Sequence, residues 1–334
     1  MLKSDADQIP MLTEAMLRRL DRPGPRYTSY PTADRFVEAF GPAEYAQALL
    51  QRASGATVGG RLPLSLYLHI PFCESVCYYC ACNKVITKHH DKATEYLGVL
   101  AQEVALNVAV LGRSQSLSQL HLGGGTPTFL SDAELSQLMT LLRENFKLAP
   151  GAELSIEVDP RSASPARLQH LATLGVNRLS FGVQDFNTDV QQAVHRIQPF
   201  EQVRDLMAAA RRIGFESINA DLIYGLPKQT PGSFARTVAQ VAELRPDRIA
   251  LYAYAHLPQR FMPQRRIAIA QLPPPDHRVA MLGGAGRWPA SSAMATPTSA
   301  WTTSRCRAMP WRWPSARAGC TATSRATAPR PTAT

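Results

Sequence analysis

Between residues 65 and 254 the chain alternates two kinds of pattern. Short runs in which apolar residues take every second position are followed by longer runs in which they recur every three or four. The short runs are SLYLHI (65–70), QLHLG (119–123), ELSIEVD (153–159), RLSFGV (178–183), SINADLIYG (217–225) and RIALYAY (248–254), and they predict six strands. The intervals hold helical patterns such as TEYLGVLAQEVALNVAVL, DAELSQLMTLLRENF and FEQVRDLMAAARRIG. Six β-then-α repeats imply parallel strands joined by right-handed crossovers, an α/β chain folded as a partial β/α barrel. A closed eightfold barrel would need two more repeats. Polar and glycine residues gather just after the strands, where such barrels build their sites.

Outside this block the pattern changes. Helical periodicity returns near residues 11 to 20 and 42 to 53, separated by RPGPRYTSYPTA (22–33), whose prolines and glycine favour an extended segment. A Gly-rich linker follows at Gly55 to Gly60. The expected organisation is an N-terminal extension (1–60), a catalytic barrel (61–280) and an aberrant, disordered tail (281–334). In that tail 40 of 54 residues are Ala, Thr, Ser, Pro or Arg, too few large apolar groups to bury a core.

Charge sharpens that division. The 334-residue chain carries +10, which invites a nucleic-acid reading, but residues 271 to 334 hold eight Arg and one Asp and so supply +7 of it. The first 270 residues are nearly neutral, which argues against a nucleic-acid partner. All four Trp also fall in the last 64 residues. The N-terminus has charges where a signal core would be, and no 18-residue apolar run occurs, so a soluble cytoplasmic protein without a membrane partner is expected.

Four of the six cysteines lie within ten residues: Cys73, Cys77, Cys80 and Cys82. The first three form C-x3-C-x2-C directly after the first predicted strand. Three soft thiolates on one loop can hold an iron–sulfur cluster or a zinc ion. No second C-x2-C pair follows at zinc-finger spacing, and three cysteines on four irons leave one iron open.

This triplet after the first strand of a partial barrel resembles the radical S-adenosylmethionine superfamily. RPGPRYTSYPTA, YLHIPFCESVCYYCACN, HLGGGTPTFL, EVDP, GVQDF, NADLIYGLP and YAHLP narrow the likeness. In order and spacing they resemble the oxygen-independent coproporphyrinogen III oxidases of haem (porphyrin) biosynthesis, from about residue 11 to 280. Cys82 and RYTSYPTA separate the pattern from the related haem chaperones. The resemblance implies a [4Fe-4S] cluster on Cys73, Cys77 and Cys80, with Cys82 not a ligand. It also implies two molecules of S-adenosylmethionine and a 5′-deoxyadenosyl radical that starts the oxidative decarboxylation of coproporphyrinogen III to protoporphyrinogen IX. The partners it implies are that substrate and a reduced flavodoxin-type donor, acting on a monomer.

Further positions follow from physics and from the resemblance together. Gly123, Gly124 and Gly125 let backbone approach a ligand closely, and Thr126 adds a hydroxyl. By resemblance they grip the cofactor. Glu157 at the end of the third strand can accept from cofactor hydroxyl or amino groups, or form a salt bridge. The resemblance assigns Gln184, Arg196 and Asp221 to the second cofactor, and Tyr67 and Ala255 to the first. It gives Tyr79 a stacking place near the second, although either tyrosine could equally be core packing. His69 reads as structural, Ala253 replaces the Asn expected there, and no catalytic acid or base is assigned.

The tail carries one more signal. Trp has the single codon TGG, so with a preceding A, WTTSRC (301–306) reads one base earlier as Met-Asp-His-Phe-Ala-Leu. ATPTSA (295–300) shifts likewise to Gly-Tyr-Ala-Tyr-Ile-Gly, and TSRATAP can yield an Asn-Phe-Gln-Gly-Tyr string. All three resemble the family's C-terminal domain. A change of reading frame near residues 281 to 290 is therefore expected, with the cap that closes the barrel lost and turnover impaired.

Overall fold

The computed structural model describes residues 14–20, 32, 35–55, 62–285 and 301–303. RPGPRYTSYPTA lies outside these residues apart from Thr32, and so does most of the tail.

The strands are β1 (Leu64–Ile70), β2 (Phe72–Cys73), β3 (Val85–Ile86), β4 (Gln115–Gly124), β5 (Phe146–Val158), β6 (Arg178–Gln184), β7 (Ser217–Tyr224), β8 (Arg248–Ala253) and β9 (Trp301–Thr303). The helices are α1 (Glu14–Leu20), α2 (Pro42–Ala53), α3 (Asp91–Leu111), α4 (Asp132–Asn145), α5 (Pro165–Thr173), α6 (Thr188–Ala193), α7 (Phe200–Ile213), α8 (Pro231–Leu244) and α9 (Pro275–Ala285). The six expected strands are all present. The main sheet runs β1-β4-β5-β6-β7-β8-β9 with every neighbouring pair parallel.

That order decides where a site can lie. Each crossover steps the same way along the sheet, so right-handed connections put the helices on one face and leave the other uncovered. Side chains sort accordingly. Leu68, Ile70, Leu120, Leu122, Ile156, Leu179, Phe181 and Leu222 pack with α3, α4, α5 and α7 into one continuous core. The alternate positions, among them Tyr67, His121, Glu157, Ser180 and Asp221, stay partly open on the inner face of the half-barrel. Strand ends match caps on the helix side. Ser131 and Thr230 accept from the amides of Glu134 and Ser233, closing capping boxes on α4 and α8.

Two details go beyond the pattern. β5 starts seven residues before the expected 153, because Phe146–Leu148 pair with Gln115–Leu117 before a bulge brings Glu153 opposite Gln119. The described residues of the tail, 281–285 and 301–303, are regular, and the rest of the segment expected to be disordered lies outside the described residues. α9 buries Met281 and Ala285 against the core, and β9 pairs with Ile249–Leu251 of β8. An edge strand offers unpaired backbone groups to any segment of suitable reach, whatever its side chains.

Candidate cofactor site

The cysteine loop leaves the C-terminal end of β1 and is closed at its base. Val85 N–H donates to the Pro71 carbonyl at 2.8 Å and Thr87 N–H to that of Cys73 at 3.0 Å, pairing β2 with β3. Inside the loop, Cys80 N–H donates to the Cys77 carbonyl at 3.1 Å, and Lys84 Nζ reaches the Cys80 and Cys82 carbonyls at 3.2 and 3.3 Å. Cys73, Cys77 and Cys80 are therefore turned out of one short, tied segment.

The three thiols have different surroundings. Burial pushes the Cys73 thiol up to about 11, against a hydrogen bond with Thr126 Oγ1 at 3.4 Å. A hydrogen bond from the Cys82 thiol brings Cys80 down to about 6, and Cys82 itself is pushed up by the same contact. Cys77 is buried and has two guanidinium neighbours, Arg161 Nη2 at 3.5 Å and Arg196 Nη1 at 3.6 Å. Among the described residues no three His, Cys, Asp or Glu side chains converge as a single metal ion requires. Three thiols on one tied loop are the soft donor set that a four-iron cluster takes, one cysteine to a corner. Arg196 fits the same picture, because its buried Nε has no partner among the described residues.

The glycine segment serves the loop first. Gly124 has φ +120°, and its N–H donates to Glu157 Oε2 at 3.1 Å. The Gly125 and Thr126 amides donate to the carbonyls of Ile70 and Phe72, both at 2.8 Å. These three N–H groups are thus engaged within the protein. A Cβ on Gly125 would stand 2.6 and 2.7 Å from the Pro71 and Phe72 carbonyl oxygens, both backbone atoms. Gly125→Ala should force apart the base of the cysteine loop and lower stability by about 1–3 kcal/mol. Urea unfolding measures this, and a loss under about 0.5 kcal/mol, the range of an ordinary surface change, would show that the contact relaxes freely.

The inner face supplies the remaining groups. The Tyr67 ring stacks on His121 at 5.7 Å, and its hydroxyl meets His69 Nδ1 at 3.0 Å. His69 Nε2 meets the Asn83 carbonyl at 2.8 Å, so this histidine ties β1 to the far end of the cysteine loop, the structural role expected of it. Glu157 lies 3.5 Å from His121 Nε2. Asp221 accepts from Ser180 Oγ at 2.9 Å and Asn219 Nδ2 at 2.7 Å. Gln184 ends β6 beside a bulge with φ +66°, a left-handed conformation uncommon for a side-chain-bearing residue. Tyr79 packs with the small cluster of Val190, Val194, Leu226, Tyr254 and Ile267, and burial pushes its hydroxyl pKa well up. Its carbonyl and that of Ala255 both accept from Gln264 Nε2, at 3.0 and 3.2 Å.

Burial, with the Glu157 charge second, pushes the Asp221 carboxyl up to about 7. A raised pKa in the fold makes this group's contribution full below the ordinary 3.8 and lost as pH rises through about 7. Asp221→Asn should therefore gain stability relative to the parent protein as pH rises from about 4 to about 7, read from paired unfolding curves. A difference independent of pH would contradict the shift.

Sequence reasoning passed over Asp159, Arg161, His195 and Gln264. Asp159 stood in the quoted EVDP and Arg161 two residues beyond it, but nothing local marks either as a neighbour of a cysteine 82 or more positions away.

The sequence pattern of the radical SAM superfamily matches residues 67–241. The oxygen-independent coproporphyrinogen III oxidase of Pseudomonas aeruginosa is 51% identical over 269 residues, covering 80% of this chain and 57% of that protein. The enzyme of that name from Escherichia coli is 51% identical over 268 residues. A solved structure of coproporphyrinogen III oxidase from Escherichia coli, described as a radical SAM enzyme, superposes with a TM-score of 0.72. It shares 51% identity, over 77% of this chain and 57% of that one. The chain thus spans somewhat over half the length of these relatives.

Proposed function

The chain belongs to the radical SAM superfamily, whose cofactors are a [4Fe-4S] cluster and S-adenosylmethionine, and from that premise we propose that it is built for the oxygen-independent oxidative decarboxylation of coproporphyrinogen III. The observation that carries the substrate is the 51% identity to oxidases of that name over 80% of this chain.

Cys73, Cys77 and Cys80 hold the cluster in this reading. When bound, the cluster and S-adenosylmethionine would supply the radical that takes a hydrogen atom from a propionate side chain; the substrate radical would then release CO2 and pass one electron to an external acceptor, leaving a vinyl group. The remaining tasks fall to side chains on the inner face. Tyr67 and Ala255 flank the first cofactor. Gly124, Gly125 and Thr126 shape its floor through their bonds to Glu157, Ile70 and Phe72. Gln184, Arg196 and Asp221 serve a second S-adenosylmethionine, with Tyr79 beside it. Leu and Ile side chains behind the sheet keep water from this face on the helix side. A flavodoxin-type donor delivers the electrons.

We also propose the change of reading frame near residues 281 to 290, a window whose first half closes α9 and whose second half, 286–290, lies outside the described residues. With it, cluster assembly and cofactor cleavage persist while decarboxylation is weak or absent. The test is anaerobic reconstitution of the full chain with iron and sulfide, followed by assays for 5′-deoxyadenosine and for protoporphyrinogen IX. Near-normal porphyrinogen turnover would overturn the impairment. Absence of both iron and cofactor cleavage would overturn the reading itself. Sequencing the coding DNA tests the frame directly, and an uninterrupted single frame with no shifted match would end that idea.

A further inference from the structure

Three consecutive residues at the exit of α6 lie against three consecutive residues of the cysteine loop. Tyr78 N–H donates to the Val194 carbonyl at 2.9 Å, His195 Nδ1 meets the Val76 carbonyl at 2.9 Å, and Arg196 Nη1 reaches Cys77 Sγ. A carbonyl only accepts, so the His195 proton is on Nδ1. His195 holds φ +53° to make this contact, and its ring stacks on Tyr78 at 5.1 Å.

From the other side comes Arg161. Its Nη1 donates to Ser75 Oγ at 3.3 Å and its Nη2 to Cys77 Sγ at 3.5 Å. Asp159 holds both guanidinium groups. It accepts from Arg161 Nε at 3.0 Å and Nη2 at 2.6 Å, and from Arg196 Nη1 at 3.1 Å and Nη2 at 3.2 Å. The Asp159 and Arg196 side chains are 10% and 8% exposed, so this charge network lies in a dry setting where each bond is strong.

Two cations aimed at one sulfur are more than packing needs. Resting on the reading that Cys77 ligates the cluster, we propose that Arg161, held by Asp159 alongside Arg196, is a positioning residue that sets the reduction potential at the Cys77 corner. Hydrogen bonds to cluster sulfurs and local charge are levers on that potential. A cationic donor on sulfur stabilises the form carrying the extra electron, so Arg161 raises the potential and eases reduction. Cys73 and Cys80 have no guanidinium neighbour of this kind among the described contacts, their side chains meeting Thr126 and Cys82.

The experiment reconstitutes the full chain and its Arg161→Gln variant and titrates each cluster by EPR at controlled potentials, with iron content measured beside it. The variant should keep its iron and become about tenfold harder to reduce, a downward shift of about 59 mV for one electron. A variant with full iron and an unmoved or raised potential would overturn the proposal. Pulsed EPR on the parent chain labelled with 15N-arginine gives a second readout, independent of how the variant folds. The reduced cluster should show nitrogen couplings from two guanidinium groups, since Arg161 and Arg196 both face Cys77 Sγ, and couplings from one group or none would equally overturn it. Failure of the parent chain to bind iron would instead remove the underlying assignment of Cys77.

Discussion

Cys77→Ala is expected to leave the reconstituted protein without its cluster, colourless and unable to cleave S-adenosylmethionine. Cys77 is the most enclosed of the three thiols and, among the described residues, the one flanked by two guanidinium groups. A thiolate ligand removed from a three-point attachment cannot be replaced by water without losing the cluster. The loss in iron affinity should therefore exceed the roughly 10–100-fold typical of an outer-shell partner. Cys82→Ala is the matching control. Cys82 touches Cys80 and is exposed, so its removal should stay within that outer-shell range. Iron and sulfide analysis with the visible charge-transfer absorbance decides both. If Cys77→Ala kept a full cluster while Cys82→Ala lost it, the ligand set would have to be redrawn.

Asp159→Ala carries the largest expected cost to the fold itself. It strips the anion from a buried group in which Arg196 is 8% exposed and Arg161 23%. Breaking a buried pair by removing one partner leaves an uncompensated charge and costs about 3–5 kcal/mol. Urea unfolding of the metal-free chain near neutral pH would read this as a large fall in midpoint with little change in slope. A loss under about 1 kcal/mol, the range of exposed pairs, would mean that water already screens the network.

Acid makes the same point without mutation. Burial alone would raise the Asp159 carboxyl, but Arg196 and then Arg161 hold it down, from the ordinary 3.8 to about 2. A depressed pKa contributes stability above the ordinary value and loses it as pH falls through the folded one. The window is therefore about pH 4 to 2, and the contribution is about 2 kcal/mol at about 1.4 kcal/mol per pH unit. Asp159→Asn should flatten the parent's acid unfolding curve there.

Much of this protein could be read along the chain because the signals are local. Period-two runs marked all six long strands within a few residues, apart from β5, whose early start rests on a bulge around Pro150 and Gly151. The C-x3-C-x2-C spacing marks Cys73, Cys77 and Cys80 as candidate metal ligands within one loop. Sequential strand order followed from the repeated β-then-α pattern, since right-handed crossovers leave little else.

The tertiary structure decided which residues meet. The glycines at 123 to 125 read as a cofactor cradle, yet Gly125 is required because the backbone of Pro71 and Phe72 passes within 2.7 Å of where its Cβ would sit. Tyr79 read as an aromatic platform or core packing, and its partners Val194, Leu226, Tyr254 and Ile267 come from three later segments. Arg161 and Arg196, which reach Cys77, and Asp159, which holds both, lie 82 to 119 positions beyond that cysteine. They converge because parallel strands align their C-terminal ends at one rim, and side chains leaving that rim share one small volume. Spacing along a chain carries periodicity and local ligand sets. Which charges end up dry, and beside which sulfur, is settled only when the half-barrel packs and removes the water between them.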